Sequence, residues 1–202
     1  NPTEVGTIYS KAELTALSAT CHKYGLYLFL DGARLGYGLA APDNDLTLPE
    51  IAALCDVFYI GGTKVGALFG EAVVIKNPEL AQDFRYLIKQ NGGMLAKGRL
   101  LGLQFDALFT DGLYQEISAH AIAMAEKLRE AFTAKGYNYL APNRTNQIFV
   151  IVPDAHLAKI SEQFEYSYDQ RIDATHSCVR FCTGWATKEE NVDALIRCVE
   201  KL

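Results

Sequence analysis

LYLFLDGARLGYGL (residues 26–39) and DVFYIGGTKVG (residues 56–66) decide how this chain is read. Each is an apolar run that breaks off at a short charged cluster containing glycine. The first ends in Asp31-Gly32-Ala33-Arg34, the second in Gly61-Gly62-Thr63-Lys64. Residues 26–30 are apolar at every position, so they predict a strand covered on both faces, as in the parallel sheet of an α/β layer. Residues 57–60 predict the next strand. Both clusters then fall where a strand ends, the rim at which open parallel sheets hold their ligands.

A carboxylate and a lysine brought to one rim suit a cofactor with a protonated ring nitrogen and an aldehyde. Pyridoxal phosphate has both: a lysine forms a Schiff base with it, and an acid partners its pyridinium nitrogen. The glycine pair ahead of Thr63 lets the backbone come close to such a ligand. The local pattern leaves a plainer alternative open, with Asp31 capping the turn that follows it and Lys64 a solvated strand-end charge.

The surrounding sequence alternates helix and strand. Ser10-Lys11-Ala12-Glu13 has capping-box spacing and predicts a helix over 11–24, closed by Gly25. A short helix follows Thr47, with Pro49 and Glu50 in its first turn, and residues 71–76 predict a strand after the glycine-rich turn 66–70. From Pro78 the period becomes helical, predicting helices over 78–90, 94–109 and 114–135, the last stopped by Gly136. Strands over 147–152 and 177–183 flank a helix over 155–164, and Thr187-Lys188-Glu189-Glu190 repeats the capping-box spacing ahead of a final helix. The expected architecture is α/β: a large unit over 1–135 with a mainly parallel sheet, linked by its last helix to a small α+β unit over 136–202.

Composition narrows the function. Half the residues are hydrophobic and 21% are charged, as in a globular chain. A net charge of −5 offers no basic footprint for nucleic acid. No apolar run reaches membrane-spanning length. Five scattered cysteines fit reduced thiols and a cytoplasmic setting better than a disulfide frame. There is no P-loop and no complete GxGxxG.

LDGARLGYGL (30–39) and FYIGGTKVGALFGEAVV (58–74) resemble the core of the low-specificity L-threonine aldolase, or beta-eliminating lyase, family. The likeness runs from EVGTIYS (4–10) to CVRFCTGWATKEENVDALI (178–196). It implies a pyridoxal-phosphate enzyme of fold type I, the aspartate aminotransferase fold. The implied reaction is reversible cleavage of a β-hydroxy-α-amino acid, such as threonine, to glycine and an aldehyde. In that resemblance Lys64 is the Schiff-base lysine, Asp31 the partner of the ring nitrogen, and Arg180 the receiver of the substrate α-carboxylate. Arg34 lies beside the cofactor or forms a structural ion pair, and Thr63 meets the phosphate or caps its turn. Resembling enzymes assemble as homodimers or homotetramers with a shared site. They carry a substantial segment ahead of this point, bearing the phosphate loop and a side chain that stacks on the ring, so the expectation is a carboxy-terminal portion. A β-eliminating lyase or aminotransferase would use Lys64 and Asp31 alike, and a folded fragment without cofactor is the non-enzymatic alternative.

Three further features need weighing. His176, Cys178, Arg180 and Cys182 alternate on one strand face, but a metal site there lacks the usual zinc spacing and a fourth ligand, so no metal is expected. Lys97 and Arg99, after Gly92-Gly93, fit either a phosphate contact from a partner subunit or a solvated helix face. His22, His120 and His156 are read as surface or structural residues.

Overall fold

The computed structural model describes residues 4–202. Helix α1 (Lys11–Lys23) starts where its cap predicts. The Ser10 hydroxyl accepts from the Glu13 amide (3.3 Å) and Glu13 Oε2 accepts from the Ser10 amide (2.9 Å). β1 (Phe29–Leu30), α2 (Leu35–Ala40), α3 (Leu48–Leu54) and β2 (Val57–Gly61) follow. At the start of α3, Glu50 Oε2 accepts from the Thr47 amide at 2.8 Å, the second capping box the sequence contains. Next come β3 (Glu71–Ile75), α4 (Pro78–Ala81), α5 (Phe84–Gln90), α6 (Arg99–Phe109) and α7 (Leu113–Ala134). The chain ends with β4 (Asn138–Tyr139), β5 (Gln147–Pro153), α8 (Asp154–Ile160), β6 (Ser167–Arg171), β7 (His176–Cys182) and α9 (Glu189–Glu200).

Two sheets result. In the first, ordered β1-β2-β3, β1 pairs parallel with β2 and β3 returns antiparallel. The second, ordered β4-β5-β7-β6, is antiparallel throughout. One face of the first sheet carries Leu30, Phe58 and Ile60 into the interior. The other face is not covered as the sequence predicted: Phe29 is 57% exposed, and Leu26 and Tyr27 are exposed as well. Only Phe29 and Leu30 of the expected strand pair with β2.

Several expected elements change shape. The helix predicted over 78–90 is two helices, because Asp83 adopts a left-handed conformation (φ 58) between them. The helix predicted from 94 begins at Arg99. Thr187 does not cap α9, whose first residue is Glu189. Its hydroxyl instead accepts from the Gly184 amide at 2.8 Å, closing the turn after β7. β6 was not foreseen: SYDQR is polar and every residue of it is exposed, as on a sheet edge.

Two hydrophobic clusters form the interior. Leu14, Leu35, Ile51, Phe58, Val65 and Tyr114 belong to the first, and Ile148, Val150, Val179, Leu157 and Leu195 to the second. α7 enters both, giving Tyr114, Ala121 and Ile122 to the first and Met124, Ala125, Leu128 and Phe132 to the second. A 3.6-residue period lets one long helix present successive turns to two neighbours. Among the described residues, no helix is both long and apolar enough to cross a membrane.

Candidate active site

β1 and β2 run parallel side by side, so their carboxy-terminal ends open on the same rim. The two motif loops that leave this rim are joined directly: the Gly61 amide donates to the Gly32 carbonyl at 2.9 Å. Neither glycine has room for a side chain. A Cβ on Gly32 would overlap the Tyr59 carbonyl oxygen, and one on Gly61 would lie 2.6 Å from the Gly32 oxygen. The glycines of DGAR and GGTK are therefore a close-approach pair. Tyr114, buried on α7, fixes both loops from behind. Its phenol donates to the Gly61 carbonyl (2.9 Å) and accepts from the Gly36 amide (3.1 Å).

Asp31 leaves β1 with its side chain exposed. Its Oδ1 accepts from the Ala33 amide at 3.0 Å, so the turn-capping bond of the plainer alternative is present. The Tyr59 phenol also donates to this carboxylate; burial first, then the bond and charge of Asp31, push the phenol's pKa up. Two donors thus orient the acid while its outer edge faces solvent.

Lys64 sits in a turn whose backbone is fixed and whose side chain is exposed. A lysine nucleophile is activated by desolvation, and the described residues do not bury this one. The main chain is held by the Val65 amide donating to the Gly62 carbonyl (2.9 Å), by Val65 in the first cluster, and by Tyr37. The Tyr37 phenol donates to the Lys64 carbonyl at 2.5 Å. Glu71 Oε2 accepts from the Gly62 amide at 2.7 Å. Thr63 is exposed and its hydroxyl reaches the Gly70 carbonyl at 3.4 Å, a contact of the turn-capping kind. Arg34 is half-buried at the start of α2, its charge close enough to act on the Tyr37 phenol.

Arg180 belongs to the other sheet. It lies on β7 between Phe149 of β5 and Ser167 of β6. Its guanidinium carbon is 5.9 Å from the centre of the Phe149 ring, a cation–π arrangement. Nη1 donates to Oε1 of the fully buried Gln147 at 3.2 Å, and Nε is buried with no hydrogen-bond partner among the described residues. An unsatisfied guanidinium donor beside a donor already engaged suits a carboxylate. After β7 the chain enters the turn 183–187. There Thr183 Oγ1 donates to the Ala121 carbonyl (2.7 Å), and the Trp185 amide donates to the Tyr37 phenol.

The loops carrying Asp31, Arg34, Thr63 and Lys64 therefore leave one rim, and the turn after the strand bearing Arg180 meets Tyr37 behind it. The supporting residues Tyr37, Tyr59, Tyr114 and Gln147 were missed by sequence reasoning. Gln147 alone left a trace, as an amide heading an otherwise apolar strand. At the alternative metal site, no three His, Cys, Asp or Glu side chains come together among the described residues. His176 pairs with Asp173 (Nδ1 to Oδ1, 3.0 Å) while Cys178 is buried. His22, His120 and His156 each have a partner, in Asp56, the Thr187 carbonyl and the Tyr137 phenol. Lys97 and Arg99 are exposed beside the start of α6.

Comparison with known proteins shows the family and the fold. The family model described as Beta-eliminating lyase matches residues 1–155. The low specificity L-threonine aldolase of Pseudomonas aeruginosa is 32% identical over 196 residues, covering 96% of this chain and 56% of its own length. That of a Pseudomonas sp. strain is 34% identical over 197 residues, covering 96% of this chain and 55% of its own. The chain thus spans about half the length of the curated relatives it matches. The solved threonine aldolase of Leishmania major superposes with a TM-score of 0.97 at 44% identity, over 100% of this chain and 59% of that one. The fold is accordingly the type I fold that the resemblance implied.

Proposed function

Because the chain belongs to the beta-eliminating lyase family, we propose that its protein is a pyridoxal-phosphate-dependent aldolase. It cleaves L-threonine or a related β-hydroxy-α-amino acid to glycine and an aldehyde. The reading is carried by one observation: an acid and a lysine turn leave neighbouring parallel strands, with their loops joined at Gly61 and Gly32. Similarity to the threonine aldolases of Pseudomonas and Leishmania major points to this reaction among those the fold supports.

The residues fit the cofactor. Gly32 and Gly61, where no Cβ fits against the facing backbone, hold the acid's loop and the lysine turn side by side. Asp31 would partner the ring nitrogen, Lys64 would hold the aldehyde carbon, and Arg34 and Thr63 would complete the polar contacts. Bound there, pyridoxal phosphate supplies the electron sink for the pair released when the Cα–Cβ bond breaks. The chain's own work is to orient. Tyr59 and the Ala33 amide hold the Asp31 carboxylate in one position. Gln147 holds Arg180 through Nη1, and the guanidinium's remaining N–H groups would receive the substrate carboxylate and fix the amino acid at one end.

In the same reading residues 1–135 belong to the cofactor-binding unit and 136–202 to the small unit. The protein assembles as a homodimer or homotetramer, and its free cysteines suit the cytoplasm. The test is to load the full-length protein with pyridoxal phosphate, record the visible spectrum, and follow acetaldehyde release from L-threonine. Lys64→Ala should abolish the visible band and the turnover, and Arg180→Lys should raise KM. Release of ammonia and a keto acid in place of acetaldehyde would refute the aldolase assignment. A flat spectrum in the wild type would refute the cofactor.

A further inference from the structure

Tyr37 stands in the middle of α2, 1% exposed, with its hydroxyl between two main-chain groups from distant parts of the chain. One is the Lys64 carbonyl at 2.5 Å; the other is the Trp185 amide. A carbonyl can only accept and an amide N–H can only donate, so both roles of the phenol are used and its hydrogen is committed to Lys64. Gly184 lies against the same oxygen: a Cβ built on it would stand 3.7 Å away. Burial pushes the phenol up to about 12, which keeps that hydrogen in place across the working range.

The two groups so joined belong to turns that follow strands of different sheets. The Lys64 turn is rooted in the first hydrophobic cluster through Val65. The Trp185 turn extends β7, the strand that carries Arg180, and is fixed to α7 by the Thr183 hydroxyl at the Ala121 carbonyl (2.7 Å) and by His120 at the Thr187 carbonyl (2.7 Å). Neither rooting by itself sets the distance between lysine and arginine. A packing role would be met equally well by phenylalanine, which would leave both main-chain groups without the phenol.

We infer that Tyr37 is a positioning residue, the link that registers the Lys64 turn against the strand end bearing Arg180. This rests on the reading that Lys64 and Arg180 act on the two ends of one amino acid. A substrate held at its amine and its carboxylate reacts only when both anchors are in register, and small misplacements are costly.

Tyr37→Phe in the full-length protein tests the inference, with two readouts. The first is hydrogen exchange at the Trp185 amide, measured without cofactor or substrate. The wild-type amide should exchange at least about tenfold more slowly than in an unfolded chain although Trp185 is 48% exposed, and the variant should lose that protection. The second is steady-state cleavage of L-threonine. Cofactor loading should match wild type while kcat/KM falls about tenfold to a hundredfold, and in an Arg180→Lys background the same substitution should cost less than threefold. An unprotected Trp185 amide in the wild type would overturn the link, even if the variant failed to fold. So would a folded variant with kcat/KM within twofold of wild type. If exchange behaves as expected but no version of the protein cleaves L-threonine, the link stands and the aldolase reading falls.

Discussion

Gly61→Ala puts the greatest strain on the joint between the two motif loops. The added Cβ would overlap the Ala33 carbonyl oxygen and stand 2.6 Å from both the Ala33 carbonyl carbon and the Gly32 oxygen. These are backbone atoms, so no rotamer change relieves the clash and the two chains must part. Overpacking of this kind costs about 1–3 kcal/mol. Parting also breaks the Gly61–Gly32 bond (2.9 Å) and displaces the Gly61 carbonyl from Tyr114 (2.9 Å), each worth about 1 kcal/mol net. The sum is about 3–5 kcal/mol of lost stability. Gly102→Ala is the control, since a Cβ there meets nothing within 4 Å and the residue lies inside α6; removing backbone freedom should gain about 0.5–1 kcal/mol. Equilibrium denaturation in urea compares the two variants, and titration with pyridoxal phosphate reports the rim. Gly61→Ala should bind the cofactor more weakly because Asp31 and the Lys64 turn no longer share one backbone contact. If Gly61→Ala lies within about 1 kcal/mol of wild type and binds the cofactor unchanged, the joint does not build the site.

Two further outcomes follow from the same structure. Tyr114→Phe keeps the ring but leaves the Gly61 carbonyl and the Gly36 amide without their partner, both buried, and should cost about 2–4 kcal/mol with faster exchange at the Gly36 amide. For acid stability, the Lys11 ammonium and the Thr47 hydroxyl and amide hold Glu50 down at about 2 against an ordinary 4.5. A depressed folded value means the contribution is present above about 4.5 and lost as pH falls toward 2, so Glu50→Gln should flatten that part of the acid unfolding curve, and added salt should do the same because the pair is exposed.

What could be read in the sequence is what local rules control. Ser10 and Thr47 cap their helices because a hydroxyl and a glutamate three residues later need nothing else nearby. The clusters at Asp31 and Lys64 announced themselves by ending apolar runs. Thr187 shows the limit of such rules: the same spacing was present, but the tight turn at Gly184 claimed the hydroxyl first. Asp83 breaks a helix without glycine or proline to signal it, and β6 has no apolar alternation because nothing covers it. The supporting residues were illegible for a different reason. The bonds of Tyr37 to Lys64, Gln147 to Arg180 and Tyr114 to Gly61 span 27, 33 and 53 positions, so no window of sequence contains both partners.

Those long-range bonds also fix the chain beneath the exposed charges of the proposed site. Asp31 and Lys64 both have exposed side chains, and exposed charges are ordinarily mobile and weakly directed. Here the Lys64 turn and the Asp31 side chain are met from behind by phenols whose pKa values burial has raised, so each hydroxyl keeps its hydrogen and serves as a fixed donor. Tyr114 holds the carbonyl of Gly61, Tyr37 holds the carbonyl of Lys64, and Tyr59 holds the carboxylate of Asp31. Rigidity is thus placed in the layer behind the rim and chemical availability in the rim itself. That division is what preorganisation requires, because donors aligned before the ligand arrives need no reorganisation when it binds. It follows that removing a phenolic oxygen should disturb the site more than an equal change in the volume of its ring, a comparison that polarity scales applied to the sequence alone could not make.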